Sequence, residues 1–483
     1  MKLAELIEGL DVIKIIGDAG VEISSLGTDS ERLEAGALFF CIDGERYDSH
    51  RFAKEAMRGG AVAFIAERPV RSTCPQVIVR NSRIAMSRIA SVFYGRPQEK
   101  LDVIGVTGTN GKTTTVHMIS AVLRQAGKSV GMIGTLGISY AEKQFPASLT
   151  TPDPIELFST LSDMVKAGVD TVVMEVSAHA LFYHKVEGIR FRAAVFTNCT
   201  QDHLDFFGSM SRYKSAKERL FRPSCCMSAI LNFDDELGRK IASSGVPHIS
   251  YALENPAEVF AVGIEERLDG VRFVLNLSDQ LYEIDLALMG RHNVSNAMAA
   301  AACAAQLGID LETIAKGLES VRSVEGRLER VASYRGAEIF VDFAHTPDGL
   351  EKSLGALDAH RSGKLICLFG CGGNRDKGKR ELMGEVAGQL CDFCVFTSDN
   401  PRYEDPYDII MEIETGCRRY SKNYVTVQDR AIATEYAIKR LQSGDILLIA
   451  GKGGETYQEI MGVRHPYDDK DVVRKIVASL GQT

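Results

Sequence analysis

Residues 103–115 read VIGVTGTNGKTTT. An apolar run breaks into glycines and ends in a lysine and three threonines. Such a run folds as a buried strand, a tight turn and a helix start, with the turn shaped to hold phosphate. Backbone N–H groups of the turn and of the helix N-terminus point at phosphate oxygens, and the lysine reaches the outer phosphates of a triphosphate. Gly108, Thr109, Asn110, Gly111, Lys112, Thr113 and Thr114 are therefore candidate contacts to ATP. Thr113 stands where a hydroxyl ligates Mg²⁺. The strict spacing GxxxxGK[ST] fails at one position, where Val106 replaces the first glycine. A glycine turn that binds nothing is the plain alternative, and GKTT directly after a strand speaks against it.

A chain of 483 residues has room for about three domains. Its net charge of −8 argues against a general nucleic-acid binder or a protein of the membrane surface. No stretch has the length and apolarity of a membrane-spanning helix. The first residues, MKLAELIEGLDVIKII, mix acids among apolar residues and make a poor signal peptide, so the cytoplasm is expected. The eleven cysteines are scattered and odd in number, which reads as reduced core residues. One CxxC occurs, at Cys391 and Cys394. With no second CxxC or His pair nearby, a buried strand after a helix is expected there, not a zinc or redox site.

Residues 1–97 contain short strand-like runs such as ALFFCI and AVAFIAE, and read as a small α/β unit. From Leu101 the runs LDVIGV, SVGMIG, TVVMEV, AAVFTN and AILN alternate with helical patterns, which argues for a parallel sheet covered on both faces. A β-richer patch follows at 258–286, then the alanine-rich helix NVSNAMAAAACAAQLG, expected to pack closely in the core. The polar stretch RSVEGRLERVA marks a junction, after which AEIFVDF, KLICLFG, FCVFTSD and DILLIAG begin a second α/β unit. The expectation is an α/β protein of three domains, 1–97, 98–328 and 329–483, the second holding the phosphate loop in a parallel sheet and the third a Rossmann-like unit.

Four polar clusters lie outside the loop. MEVSAHA ends an apolar strand in Glu175, Ser177 and His179; a carboxylate beside a phosphate loop suits Mg²⁺, a hard cation. A second cluster runs from TNCTQDHLD, with Asp202, His203 and Asp205, into a helix bearing Lys214 and Lys217. A third sets Asn293, Arg327, Asp342 and His345 close to the inferred junctions, where polar groups often line a cleft. The fourth, GCGGNRDKGKR with SDNPRYEDP and GKGGE, follows strand ends of the last unit. Its arginines suit carboxylates, while Asp399 and Glu455 suit an ammonium group, so together they could hold an amino acid. Each cluster taken alone could equally be a cap, a turn or a solvated face.

In order along the whole chain, TGTNGKTTT, the TTP at 150–152, MEVSAHAL, TNCTQDHLD, the helix with Lys217, GRHNVSNAMAA, GRLE, VDFAHTPD and DNPR resemble the Mur ligases, and among them the diaminopimelate-adding members. The resemblance implies an N-terminal UDP-binding domain, a central ATPase domain and a C-terminal domain that docks an amino acid. It implies cell-wall precursor synthesis. ATP would phosphorylate the carboxylate of UDP-N-acetylmuramoyl-L-alanyl-D-glutamate, and the amine of meso-diaminopimelate would attack the acyl phosphate. Thr113, Glu175 and His203 would serve Mg²⁺ together with Lys217 as a carbamate. Lys112, His203 and Lys217 would carry the chemistry, and Asn293, Arg327, Asp342 and His345 would line the ATP cleft.

The resemblance also assigns the UDP substrate to Thr28, Ser30, Glu45, Arg46 and Tyr47, with Thr150, Thr151, Ser177, Tyr183 and Lys185 on the sugar-peptide part. Tyr183 stands where a glutamine is expected and Lys185 where an arginine is. The amino acid would meet Arg375, Asp399, Asn400, Pro401, Arg402, Gly451 and Glu455, and a lysine substrate would leave Arg402 unpaired. Gly454 stands where the family has histidine. The alternatives are ligation of L-lysine or ornithine to the same nucleotide, a folylpolyglutamate synthetase, and a non-catalytic nucleotide-binding scaffold. A monomer is expected, with no nucleic acid or membrane partner.

Overall fold

The computed structural model describes residues 1–44 and 47–481. Among these, the strands form sheets of five, eleven and six, with a separate two-stranded ribbon. The phosphate-loop strand Asp102–Thr107 lies inside the largest sheet, between Thr171–Glu175 and Ala193–Phe196, both parallel to it. These strands are apolar at consecutive positions because both faces of the sheet are covered. One face receives the helix Lys112–Gln125 through Val116, Met118, Ile119, Val122 and Leu123. The alanine-rich helix Arg291–Gln306 packs on the same side, its Ala299–Ala302 run fully buried, since small side chains allow close approach. The helix Pro154–Lys166 covers the other face with Leu157, Phe158, Leu161 and Met164. The β-rich patch is an antiparallel meander, Val259–Arg267, Gly270–Leu277 and Gln280–Leu286, that extends the sheet at one edge.

The last sheet runs, in spatial order, Glu329–Tyr334, Ala337–Asp342, Ile446–Ala450, Leu365–Phe369, Phe393–Phe396 and Tyr424–Thr426. Only its first strand is antiparallel to its neighbour. The expected α/β class and the parallel central sheet are therefore what the chain forms. The five-stranded sheet is built around Ala37–Phe40, Ala61–Ala66 and Gln76–Val79. It is tied to the central unit where Ser87 Oγ donates to His184 O at 2.6 Å and Arg88 pairs with Glu187 at 3.1 Å.

All eleven cysteines are free. Cys391 caps the helix Gly378–Leu390, and Cys394 is wholly buried in the next strand, opposite Cys367. That is the strand-after-helix arrangement. No helix among the described residues is long and apolar enough to cross a membrane.

Candidate active site

A cavity of about 630 Å³ opens between the central and last sheets, at the carboxyl ends of their strands. The phosphate loop forms one wall. Val106 is fully buried strand, so the loop proper begins at Gly108 and the glycine missing from the strict pattern has no work to do. Gly108 itself admits no side chain, because a Cβ there would stand 1.8 Å from Thr197 Oγ1. Gly111 takes a left-handed conformation, φ 84°, that starts the helix. No side chain caps that helix, so its first N–H groups are left for a ligand. Lys112 Nζ curls back onto Gly108 O and Thr109 O at 3.0 and 2.9 Å, and burial pushes its pKa down.

Register sets Glu175 opposite Val106, which brings its buried carboxylate to the loop. Thr113 Oγ1 donates to Glu175 Oε1 at 2.9 Å, and Thr135 N donates to the same oxygen at 2.8 Å. From across the cleft Arg327 Nη2 donates to Thr113 Oγ1 at 2.8 Å while its guanidinium lies 4.3 Å from the Phe343 ring centroid. Asn110 Nδ2 donates to Asp348 Oδ2 at 2.8 Å, a second contact over the same gap. Asn293 is buried and held by Met289 O at 2.8 Å. Asp342 is buried too, and accepts from Leu328 N, Ala344 N and Ser353 Oγ.

His203 holds a left-handed backbone, φ 56°, at the start of the helix Leu204–Phe207. Burial lowers its pKa to about 3, so the ring is neutral at neutral pH. Asp202 is the hub here: Lys379 Nζ at 3.3 Å and His345 Nε2 at 3.5 Å reach it from the last unit, and His203 Nε2 at 3.2 Å from its own loop. Burial works against the Asp202 charge, but Lys379 and the two histidines hold its carboxyl well below the usual range. Lys217, on the helix Met210–Glu218, is 1% exposed with Nζ 4.4 Å from the Tyr213 ring centroid. Burial, then Lys112, lowers its pKa to about 7. Among the described residues no group of three or more His, Cys, Asp or Glu side chains is set to hold a metal ion. Thr113 and Glu175 meet directly, whereas His203 and Lys217 line the same cleft further along.

Arg375, Asp399, Asn400, Arg402, Gly451 and Glu455 line the opposite end, and Pro401 is buried beside them. Arg402, φ 52°, is already partnered: Nε pairs with Glu459 at 3.1 Å and Nη1 donates to Gly373 O at 2.9 Å. Glu459 supplies the countercharge to Arg402 within the chain, so a lysine substrate would not leave Arg402 unpaired, contrary to the expectation. Glu455 likewise accepts from Asn400 Nδ2 at 2.9 Å and Lys452 Nζ at 3.1 Å.

The residues expected at the UDP substrate fall into separate groups. Thr150 and Ser177 line the cleft. Thr151 bridges Glu175 O and Ser177, and Lys185 Nζ pairs with Asp153 at 2.8 Å. Tyr183 lies under the Arg83 guanidinium, 4.2 Å from its ring centroid, where the first and central units meet. Thr28 and Ser30 follow the strand Ser25–Gly27, and Tyr47 is 71% exposed; none of the three lines this cleft. Glu45 and Arg46 lie outside the described residues. Sequence reasoning missed Lys379, Arg430, Lys452 and Glu459. Lys379 and Lys452 sit inside the glycine- and charge-rich motifs already noted, which was the available signal.

The chain belongs to the Mur ligase family. Residues 106–304 match the Mur ligase middle domain, residues 326–453 the Mur ligase glutamate ligase domain, and residues 22–94 the family model described as Mur ligase family, catalytic domain. It is 41% identical to the UDP-N-acetylmuramoyl-L-alanyl-D-glutamate--2,6-diaminopimelate ligase of Caldanaerobacter subterraneus subsp. tengcongensis, over 99% of each chain. It is 42% identical to the ligase of the same name from Geobacillus thermodenitrificans, again over 99% of each. A solved structure of a ligase of that name superposes with a TM-score of 0.70 at 30% identity, covering all of both chains. A Mycobacterium tuberculosis folylpolyglutamate synthase shares the fold at 19% identity and TM-score 0.64, over 76% of this chain.

Proposed function

We propose that this chain is an ATP-dependent ligase that joins meso-diaminopimelate to UDP-N-acetylmuramoyl-L-alanyl-D-glutamate in peptidoglycan precursor synthesis. The observation behind it is likeness over 99% of the chain, at 41%, to a ligase of that name. That span includes the first unit, whereas the likeness to the folylpolyglutamate synthase covers 76% of the chain. A carboxylate is a poor electrophile. The terminal phosphoryl group of ATP moves to a carboxylate oxygen, ADP leaves, and the amine attacks the acyl carbon. The C–O bond to phosphate breaks, and an amide and inorganic phosphate remain.

In this reading Gly108–Thr114 and Asn293 hold the nucleotide, and Lys112 and Arg327 meet the developing phosphoryl charge. Asp342 and His345 shape the same wall. Mg²⁺ fits beside Thr113 and Glu175, since two hard oxygens 2.9 Å apart at a phosphate loop suit a cation that takes one or two carboxylates and the phosphates. When bound it would neutralise phosphoryl charge. His203, with a neutral ring, is read as a further ligand. Lys217 is read as a carbamate: its unprotonated amine adds to CO₂, one N–C bond forms, and one proton leaves. A buried amine with a pKa of about 7 supports that reading.

Thr28, Ser30, Glu45, Arg46 and Tyr47 are read as the uridine end of the substrate site. Thr150, Thr151, Ser177, Tyr183 and Lys185 are read as its sugar-peptide end. Arg375, Asp399, Asn400, Pro401, Arg402, Gly451 and Glu455 are read as the amino-acid end. We also propose domain limits of 1–97, 98–328 and 329–483, a monomer, and a cytoplasmic location. Amino-acid-dependent phosphate release with purified UDP-muramoyl-dipeptide tests the activity. Release with meso-diaminopimelate well above that with L-lysine is expected, and a preference for lysine would overturn the choice of amino acid.

A further inference from the structure

Behind Asp399, at the amino-acid end of the cleft, lies a buried cation that none of these roles uses. Arg430 opens the helix Arg430–Lys439 and is shut off from solvent. Its Nε and Nη2 donate to the two carboxylate oxygens of Asp469, each at 2.8 Å, and Nη2 also donates to Ala450 O at 2.9 Å. Its Nη1 is buried without a hydrogen-bond partner and lies 4.0 Å from Asp399 Oδ2. Asp399 lines the cleft. Its other oxygen, Oδ1, accepts from Asn400 N at 2.6 Å and lies 4.0 Å from Lys452 Nζ. Room at Oδ2 depends on Gly451, where a Cβ would stand only 2.8 Å away.

We propose that Arg430, clamped by Asp469, is a positioning residue of the amino-acid site that sets where the Asp399 carboxylate points. The inference rests on the ligase reading above, in which Asp399 receives an ammonium group. Three hydrogen bonds fix the plane of the guanidinium, so Nη1 is a donor whose direction cannot drift. A buried guanidinium N–H needs an acceptor, and Asp399 Oδ2 is the facing carboxylate oxygen. Burial opposes ionisation of Asp399, while Lys452 and Arg430 hold its carboxyl below the usual range. A lysine at 430 would keep the charge but could not grip Asp469 with a fork and still present a donor to Asp399. A purely structural role, tying the helix Asp469–Leu480 to the sheet, would alter stability and leave substrate selectivity alone.

The test uses the full chain and whichever diamino acid the wild type consumes, so failure of the diaminopimelate reading shows in the wild type and leaves this test intact. Arg430→Lys and Asp469→Asn are expected to raise KM for the amino acid about tenfold or more, with KM for ATP and for the nucleotide substrate within about twofold. In an Asp399→Asn background, Arg430→Lys should add nothing further to the amino-acid KM. An unchanged amino-acid KM in folded Arg430→Lys overturns the proposal, as does a parallel rise in all three KM values. If neither Arg430→Lys nor Asp469→Asn folds, Asp399→Asn decides, because an unchanged amino-acid KM there removes the role Arg430 would support.

Discussion

Lys217 is a side chain whose chemistry its surroundings change strongly. It is 1% exposed, and burial with Lys112 nearby takes its pKa to about 7. An ordinary lysine is protonated at neutral pH and cannot attack CO₂; this one is a nucleophile for a large share of the time. Lys217→Ala should reduce turnover by about a hundredfold or more, and a short carboxylic acid added to the buffer should restore part of it. Phosphate release with and without the acid checks both; full activity in the variant would rule out the carbamate. The residue types of this site were legible from their order along the chain, because loop, carboxylate, histidine and lysine each sit in a recognisable motif. Their partners were not. Thr113 and Arg327 are 214 positions apart, and nothing local in GRLER says that its first arginine reaches a threonine of the phosphate-loop helix.

At the scale of elements, the loop that follows Phe396 is held by a buried fork. Arg380, on the helix Gly378–Leu390, donates from both Nη atoms to the carboxylate oxygens of Glu404 at 3.0 Å and from Nη1 to Glu412 at 2.9 Å. This fastens the segment that follows Arg402 to two helices. The hydrogen bonds from Arg380 lower the Glu404 pKa from 4.5 to about 2. A depressed carboxylate pKa contributes stability that is complete above the unfolded value and lost as pH falls toward the folded one. The urea midpoint of the chain should therefore fall as pH drops from 4.5 towards about 2, and Glu404→Gln should flatten that dependence. Strand and helix runs were readable from periodicity. This tether was not, because GNRDKGKR and NPRYED read alike as charged loops until the fold stacks them.

At the scale of the molecule, the two larger units touch through polar side chains at the cleft itself. Asn110 meets Asp348, and Lys379 and His345 meet Asp202. The units are therefore joined across the cleft, so a ligand that binds there better in one domain orientation than in another would shift the balance between them. Lys379→Met removes one latch but leaves Asp202 its two histidines, so the cost should stay below the about 3–5 kcal/mol of a broken buried pair. Solution scattering of the unliganded variant should give a larger radius of gyration than the wild type, and kcat should fall. An unchanged scattering profile would argue that Asp202 and Lys379 only pack.

The free thiols offer a different use of the same architecture. Cys41 is buried in the first unit, Cys199, Cys226 and Cys303 in the central one, and Cys367, Cys371, Cys391, Cys394 and Cys417 in the last. Apart from Cys371, which lines the cleft, they meet an alkylating reagent only when their own core opens. Each unit thus contains its own clock: the order in which these cysteines are trapped in mild denaturant would report which part of the ligase lets go first, with no label added and no residue changed.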